Sequence, residues 1–239
     1  MIGLGTIINV AGIIAGGLVG KLFGRFLSER YQDTLMVATA VCVLFLGISG
    51  ALQEMMTVSD GKLSSGGTMM MIGSFAIGSL IGEWMNVDYH MERFGEWLKV
   101  KTGSTGDAGF VNGFVTASLT VCIGAMAVVG AIQDGISGDY STLAAKAVLD
   151  LIIIMIMTAS MGKGCIFSAI PVGLFQGSIT LLAQFIKPLM TAAALSNLSF
   201  VGSMMIFCVG ANLFWNMKIR VANMLPGLII AVLWAFLPI

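Results

Sequence analysis

The chain has 239 residues, 57% of them hydrophobic and only 10% charged, with a formal net charge of zero. A soluble domain carries roughly 25% charged residues, so a water-soluble globule is excluded, and the long uncharged runs along the whole length are those of membrane spans. Balanced charge with no basic cluster beside aromatics gives no case for nucleic acid as a partner.

Taken in chain order, with about 20 apolar residues per span, the sequence predicts an all-α polytopic membrane protein of eight helices. The expected spans are approximately Thr6–Phe23, Thr34–Gln53, Thr68–Met85, Phe110–Gln133, Ser141–Met161, Cys165–Ile186, Ala193–Trp215 and Ala222–Leu237. The opening MIGLGTIINV has no positive leader and no small-residue cleavage site, so it is expected to be a retained first span. Between the third and fourth spans lies Asp88–Lys101, DYHMERFGEWLKVK. Its Met91, Phe94 and Leu98 share one helical face, as in an amphipathic helix lying among lipid headgroups.

The charges sort across these spans. One side carries Lys21, Arg25, Arg30, Arg93, Lys99, Lys101, Lys163, Lys218 and Arg220; the other carries Lys62, Lys146 and Lys187. The rich side is expected to be cytoplasmic, with both termini outside. Trp84, Trp97 and Trp215 then fall at the inner interface and Trp234 near the outer one.

Internal echoes suggest repeats. GTIINVAGIIAGGLVG from Gly5 matches GTMMMIGSFAIGSLIG from Gly67 at an offset of 62, placing Gly16 and Gly20 on Gly78 and Gly82. At an offset of 80, Gly50-Ala51-Leu52-Gln53-Glu54 matches Gly130-Ala131-Ile132-Gln133-Asp134. Fainter echoes are Val209-Gly210-Ala211-Asn212 in the seventh span and the spaced Gly173 and Gly177 in the sixth. The reading is three units within one transmembrane domain, about 1–66, 67–161 and 162–239, the last inverted, as in many carriers. The runs Gly12-Gly16-Gly20 and Gly78-Gly82 suit close packing against another helix, within or between subunits.

The candidate site residues are the polar groups set deep in apolar runs. Asp150 falls near the middle of the fifth span, where a charge costs about 2.5–3.5 kcal/mol, with Lys146 one turn earlier on the same face. The pair reads either as an ion or substrate site, or as a structural ion pair with Lys146 snorkelling outward. Pro171 in the sixth span is expected to kink the helix and free the carbonyl of Phe167, with Gln176 following near mid-depth. Asn9 lies in the first span, and Asn112, Thr116 and Thr120 form a stripe in the fourth, continued by Gly124. Gln53, Glu54, Gln133 and Asp134 occupy matching outer ends and read as exposed caps or as an outer gate. The cysteines Cys42, Cys122, Cys165 and Cys208 form no C-x-x-C pair and read as small buried hydrophobes. No hydrolytic or metal-binding motif appears, and the single histidine is His90; no enzyme activity, cofactor or metal is expected.

Three stretches carry a resemblance: GTIINVAGIIAGGLVGKLFGRFLSERYQ, GAMAVVGAIQDGISGD and KAVLDLIIIMIMTASMGKGCIFSAIPVGLFQG. Together they resemble the bacterial YqgA/YdfK family of uncharacterised inner-membrane proteins, over nearly the whole chain. The resemblance implies the inner membrane and singles out Asn9, Gln133, Asp134, Lys146, Asp150, Ser168 and Gln176. The family pattern has glycine after the aspartate where this chain has Leu151, a departure that bears on close backbone contact there. The functional expectation is a secondary transporter or ion-coupled carrier for a small solute or ion, assembled as a homo-oligomer in the lipid bilayer. The alternatives are a membrane scaffold or sensor that binds another protein, or an oligomeric channel.

Overall fold

The structure, a computed structural model, describes residues 2–24, 26, 28–59, 62–123 and 125–237, without the side chains of residues 29, 59 and 125. The chain is an all-α polytopic membrane protein. In order, its helices are α1 (Leu4–Gly24), α2 (Glu29–Met55), α3 (Thr68–Met85), α4 (Val87–Lys101), α5 (Phe110–Cys122) and α6 (Ala125–Ser137). They continue as α7 (Ser141–Met161), α8 (Ala169–Leu181), α9 (Ala183–Ile186), α10 (Ala192–Trp215) and α11 (Pro226–Trp234). Among the described residues six segments are long and apolar enough to cross a bilayer, or seven if the bent pair α5–α6 is one crossing. The eighth expected span is represented by a shorter apolar segment, Val221–Trp234. Length and composition thus carry six or seven crossings, and they do not fix the expected eight.

Two local expectations are corrected. The fourth span is not one continuous helix: α5 and α6 meet at 63°. Ile123 after α5 is extended (φ −81°, ψ 120°), and an extended residue ends the i to i+4 hydrogen-bond ladder. Residue 124, the continuation expected for the fourth-span polar stripe, lies outside the described residues, as does Arg25 of the expected cytoplasmic set. Pro171 makes no mid-helix kink. The sixth span opens with a 3-10 turn, Lys163–Ser168, and α8 begins only at Ala169. Pro171 therefore sits in the first turn of α8, where a backbone N–H has no helical acceptor to lose. Between α2 and α3 there is also an antiparallel hairpin, β1 (Met56–Ser59) with β2 (Lys62–Ser65), in which Val58 faces Leu63.

The glycine runs act as the spacing predicts, and within the chain. Gly12, Gly16, Gly20 and Gly24 of α1 lie over the carbonyls of Ala147, Leu151, Met155 and Ala159 of α7. A Cβ on Gly12 would stand 3.0 Å from the Ala147 oxygen, and those on Gly16 and Gly20 would collide with the backbone. Lipid supplies no hydrophobic drive between helices, so this approach supplies van der Waals contact instead. Close contact at Leu151 is thus made after all, the glycine coming from the facing helix. On α3, Gly78 meets Gly227 and Gly82 meets the Asn223 carbonyl. Among the described residues a Cβ on Gly173 would meet only Val10 and one on Gly177 nothing within 4 Å, so the α8 glycines do not serve this purpose.

The same contacts give the helix directions. Residue numbers rise together along α1 and α7, so those helices are parallel. They rise oppositely along α1 and α8 (Asn9 with Gln176, Val10 with Gly173), α2 and α10 (Gly47 with Phe207, Gly50 with Ser203), and α3 and α11. Parallel α1 and α7 need an odd number of crossings between them. Helices α2, α3 and the bent α5–α6 pair, taken as one crossing, provide three.

The core falls into two main groups. One joins Ile13, Ala117, Val121, Ile154, Met157 and Val172 of α1, α5, α7 and α8. The other joins Val43, Met70, Leu119, Val201, Met205 and Val209 of α2, α3, α5 and α10, so α5 belongs to both. In α4 the predicted apolar face is present: Leu98 is buried and Phe94 stacks edge-on against Phe114 at 5.8 Å. Trp84, Trp97 and Trp215 are exposed, whereas Trp234 packs against Gly73. Cys42 is exposed on α2, against the expectation that all four cysteines are buried.

Candidate functional site

A buried polar cluster sits where α1, α7 and α8 meet, and its geometry follows from helical spacing. Lys146 and Asp150 are one turn apart on α7, and their side chains join at 2.5 Å (Nζ to Oδ2), 7% and 3% exposed. Lys146 therefore does not snorkel outward. Asn9 comes from α1, three residues before Gly12, because the glycine run brings α1 down onto α7. Its amide lies against the Asp150 carboxyl and also donates from Nδ2 to Gln176 Oε1 of α8 at 3.2 Å. Asn9 and Gln176 are each 0% exposed.

This cluster is incompletely satisfied. Asn9 Oδ1 and Gln176 Nε2 are buried and have no hydrogen-bond partner among the described residues. A buried polar group left unpaired costs about 1–3 kcal/mol, so two together are a sizeable fraction of a marginal stability of about 5–15 kcal/mol. Rotating the amides does not remove the problem, because the Asn9 NH₂ is already turned to an acceptor on each side. One free acceptor and one free donor thus stand beside a buried ion pair. Cys122, the last residue of α5, is within electrostatic reach of both Lys146 and Asp150. The α5 end of the break between α5 and α6 is therefore within electrostatic reach of the charges.

The other expected site residues are elsewhere. Thr116 donates to Asn112 Oδ1, and Thr120 donates to the Thr116 carbonyl, so the stripe is satisfied along its own helix. Asn112 is exposed. Ser168 donates to the Cys165 carbonyl inside its turn. The four outer polar residues do not form one gate. Asp134 is fully buried, and its carboxylate accepts the N–H groups of Gly3 (3.1 Å) and Gly5 (3.0 Å), capping the N-terminus of α1. A carboxylate there meets the positive end of the helix dipole. Gln133 accepts from Thr142, Glu54 accepts from Ser196 of α10, and Gln53 is exposed. Asp134 is thus a structural cap and not the exposed end expected of it.

Two polar connections escaped the sequence reading. Thr6 and Thr180 extend the α1–α8 seam at 3.5 Å. At the end of α3, Glu83 pairs with Arg220 and accepts from Asn223 (2.5 Å), while the Asp88 N–H donates to Asn223 Oδ1 (2.7 Å). This knot ties the start of α4 to the turn before α11. Partial burial pushes the Asp88 carboxyl above its ordinary value, with Arg220 pulling it down and Glu83 adding to the rise. Arg220 was visible only as a basic residue, and its partners are far away in sequence.

A cleft of about 800 Å³ separates α5, α6 and α8 from α10 and α11. Its walls are apolar, including Leu119, Leu174, Leu198 and Leu228, with His90 and Met91 of α4 at its edge. Asn9, Lys146, Asp150 and Gln176 do not line it; Cys122 does. Among the described residues no three His, Cys, Asp or Glu side chains gather as a metal site.

A family model described as a protein of unknown function (DUF554) matches residues 4–236. The uncharacterised membrane protein YdfK of Bacillus subtilis (strain 168) is 29% identical over 226 residues, covering 95% of this chain and 93% of the relative. The uncharacterised protein YqgA of Escherichia coli (strain K12) is 25% identical over 232 residues, covering 95% and 94%. No solved structure matches the chain.

Proposed function

The chain belongs to the DUF554 family, and on that premise we propose that it is a small secondary carrier for a solute or ion in the bacterial inner membrane. Its site is the cluster of Lys146, Asp150, Asn9 and Gln176, in a closed conformation. The observation that carries this reading is the pair of unpartnered amide atoms, Asn9 Oδ1 and Gln176 Nε2, beside a buried ion pair. A purely structural pair has no use for an extra donor and acceptor at that cost. The broken α5–α6 segment supports the reading, since interrupted helices line carrier sites. The helix directions support eight alternating crossings with both termini on one side, placed outside by the positive-inside bias. The repeat units and a homo-oligomeric assembly belong to the same reading. The α1 and α3 glycines are occupied within the chain, so they do not supply a subunit interface. Uptake into proteoliposomes by the wild type and by Asp150→Asn tests the proposal; unchanged transport removes Asp150 from the mechanism.

A second reading, a scaffold or sensor that binds another membrane protein, is favoured by one observation: the ion pair is sealed and the large cleft is apolar. It predicts a site that water never reaches.

A further inference from the structure

The buried cluster constrains what it can bind through its charge. Lys146 and Asp150 neutralise each other. Binding a lone cation or a lone anion would leave net charge among α1, α7 and α8, where an uncompensated charge is poorly tolerated. A proton taken up together with an anion leaves the cluster neutral before and after.

The unpartnered atoms match that pair of ligands. A proton from the aqueous phase adds to a carboxylate oxygen of Asp150, turning an acceptor-only group into an O–H donor. Asn9 lies against that carboxyl through its NH₂, and a turn of its amide presents the free acceptor Oδ1 to the new O–H. Protonation also removes the charge that holds Lys146. Its ammonium and the free donor Gln176 Nε2 then serve an anion, and charge-assisted donors suit a carboxylate. An apolar tail on that carboxylate has an environment of its own kind in the apolar cleft, whose lining residue Cys122 is within electrostatic reach of the pair.

We therefore propose, building on the carrier reading, that the ligand is a small monocarboxylate bound together with one proton. The Asp150 carboxyl carries the proton, and Lys146 with Gln176 holds the anion. The groups facing Asp150 are few. Lys146 is on its own helix, α1 presents the uncharged Asn9, and α5 presents the Cys122 thiol. No other charged group acts on it from α2, α6, α8 or the 163–168 turn among the described residues.

The test is the thermal unfolding of purified protein with sodium acetate or sodium butyrate against equimolar sodium chloride, at pH 6 and pH 8. A ligand that binds the folded state raises Tm. The expected result is a rise of several degrees with either carboxylate at pH 6 and a smaller or absent rise at pH 8. Asp150→Asn, permanently neutral at that position, responds equally at both pH values, and Gln176→Leu responds less at pH 6. No carboxylate-specific rise in the wild type, or a rise equal at both pH values, overturns the inference. The wild-type comparison needs no variant, so a misfolded variant cannot hide the answer. Acetate uptake by proteoliposomes separates the two claims. Proton-linked binding without uptake removes the carrier and leaves the ligand assignment. Uptake without pH linkage removes the assignment and leaves the carrier.

Discussion

Asn9 donates to Gln176 at 3.2 Å across the α1–α8 seam while lying against Asp150, and this contact makes a cluster of what would otherwise be an isolated ion pair. Its energetics give the first prediction. Removing one member of a buried pair leaves the other charge uncompensated, at about 3–5 kcal/mol. Lys146→Met and Asp150→Asn should each lower stability by that order, whereas the double variant Lys146→Met/Asp150→Asn should recover much of it. Unfolding midpoints of the three variants in one detergent decide the matter. A double variant as unstable as the sum of the singles would mean that the two residues do not act as a pair.

The second prediction concerns the glycines. Gly16→Ala places a methyl group against the Leu151 backbone and Gly82→Ala against that of Asn223, an overpacking worth about 1–3 kcal/mol. Gly177→Ala meets nothing within 4 Å and should be neutral or stabilise α8 by up to about 1 kcal/mol. Thermal melts of the three variants check this ordering.

A third follows from Asp134. Asp134→Ala removes the cap of α1, worth about 0.5–2 kcal/mol, and leaves the amides of Gly3 and Gly5 without their acceptor. Hydrogen exchange should accelerate in the first turn of α1 and leave α3 unchanged. Uniform protection along α1 in the variant would refute the capping role.

The fourth is electrostatic. The Asp88 carboxyl should titrate above its ordinary value of 3.8, because partial burial outweighs the pull of Arg220. A carboxyl raised in the folded state weighs against the fold at neutral pH, and that effect disappears as pH falls below the ordinary value. Arg220→Gln should raise the Asp88 midpoint further, and Glu83→Gln should lower it. Carboxyl NMR of the three proteins reads these shifts directly.

Much of this architecture was legible because membrane helices announce themselves by composition. Helix α3 matches its expected span at both ends, α7 matches Ser141–Met161, and the α1 glycines at every fourth residue foretold a close helix neighbour. Periodicity could not say which neighbour: α7 is some 135 residues away, and its part of the contact is backbone carbonyl, which has no sequence signal. The α5–α6 break was missed because hydropathy runs unbroken through Val121, Cys122 and Ile123. The hairpin between α2 and α3 had a usable sign in the Asp60-Gly61 dipeptide, a strong turn signal, although those two residues lie outside the described ones. Asp134 was misplaced because a polar residue at the end of an apolar run looks the same from sequence whether it faces water or caps another helix. Lys146, Asp150, Asn9 and Gln176 could be picked out as costly groups at depth, and only tertiary structure reveals that they meet while Thr116 and Ser168 do not join them.

The central claim is that this sealed cluster opens to water. It is tested most directly by placing Gln176→Cys in a chain cleared of Cys42, Cys122, Cys165 and Cys208, and treating oriented vesicles with a membrane-impermeant thiol reagent. The carrier account predicts labelling of position 176 from each side of the membrane in turn. Complete protection from both sides, in folded protein, would contradict it and leave Lys146 and Asp150 as a structural pair.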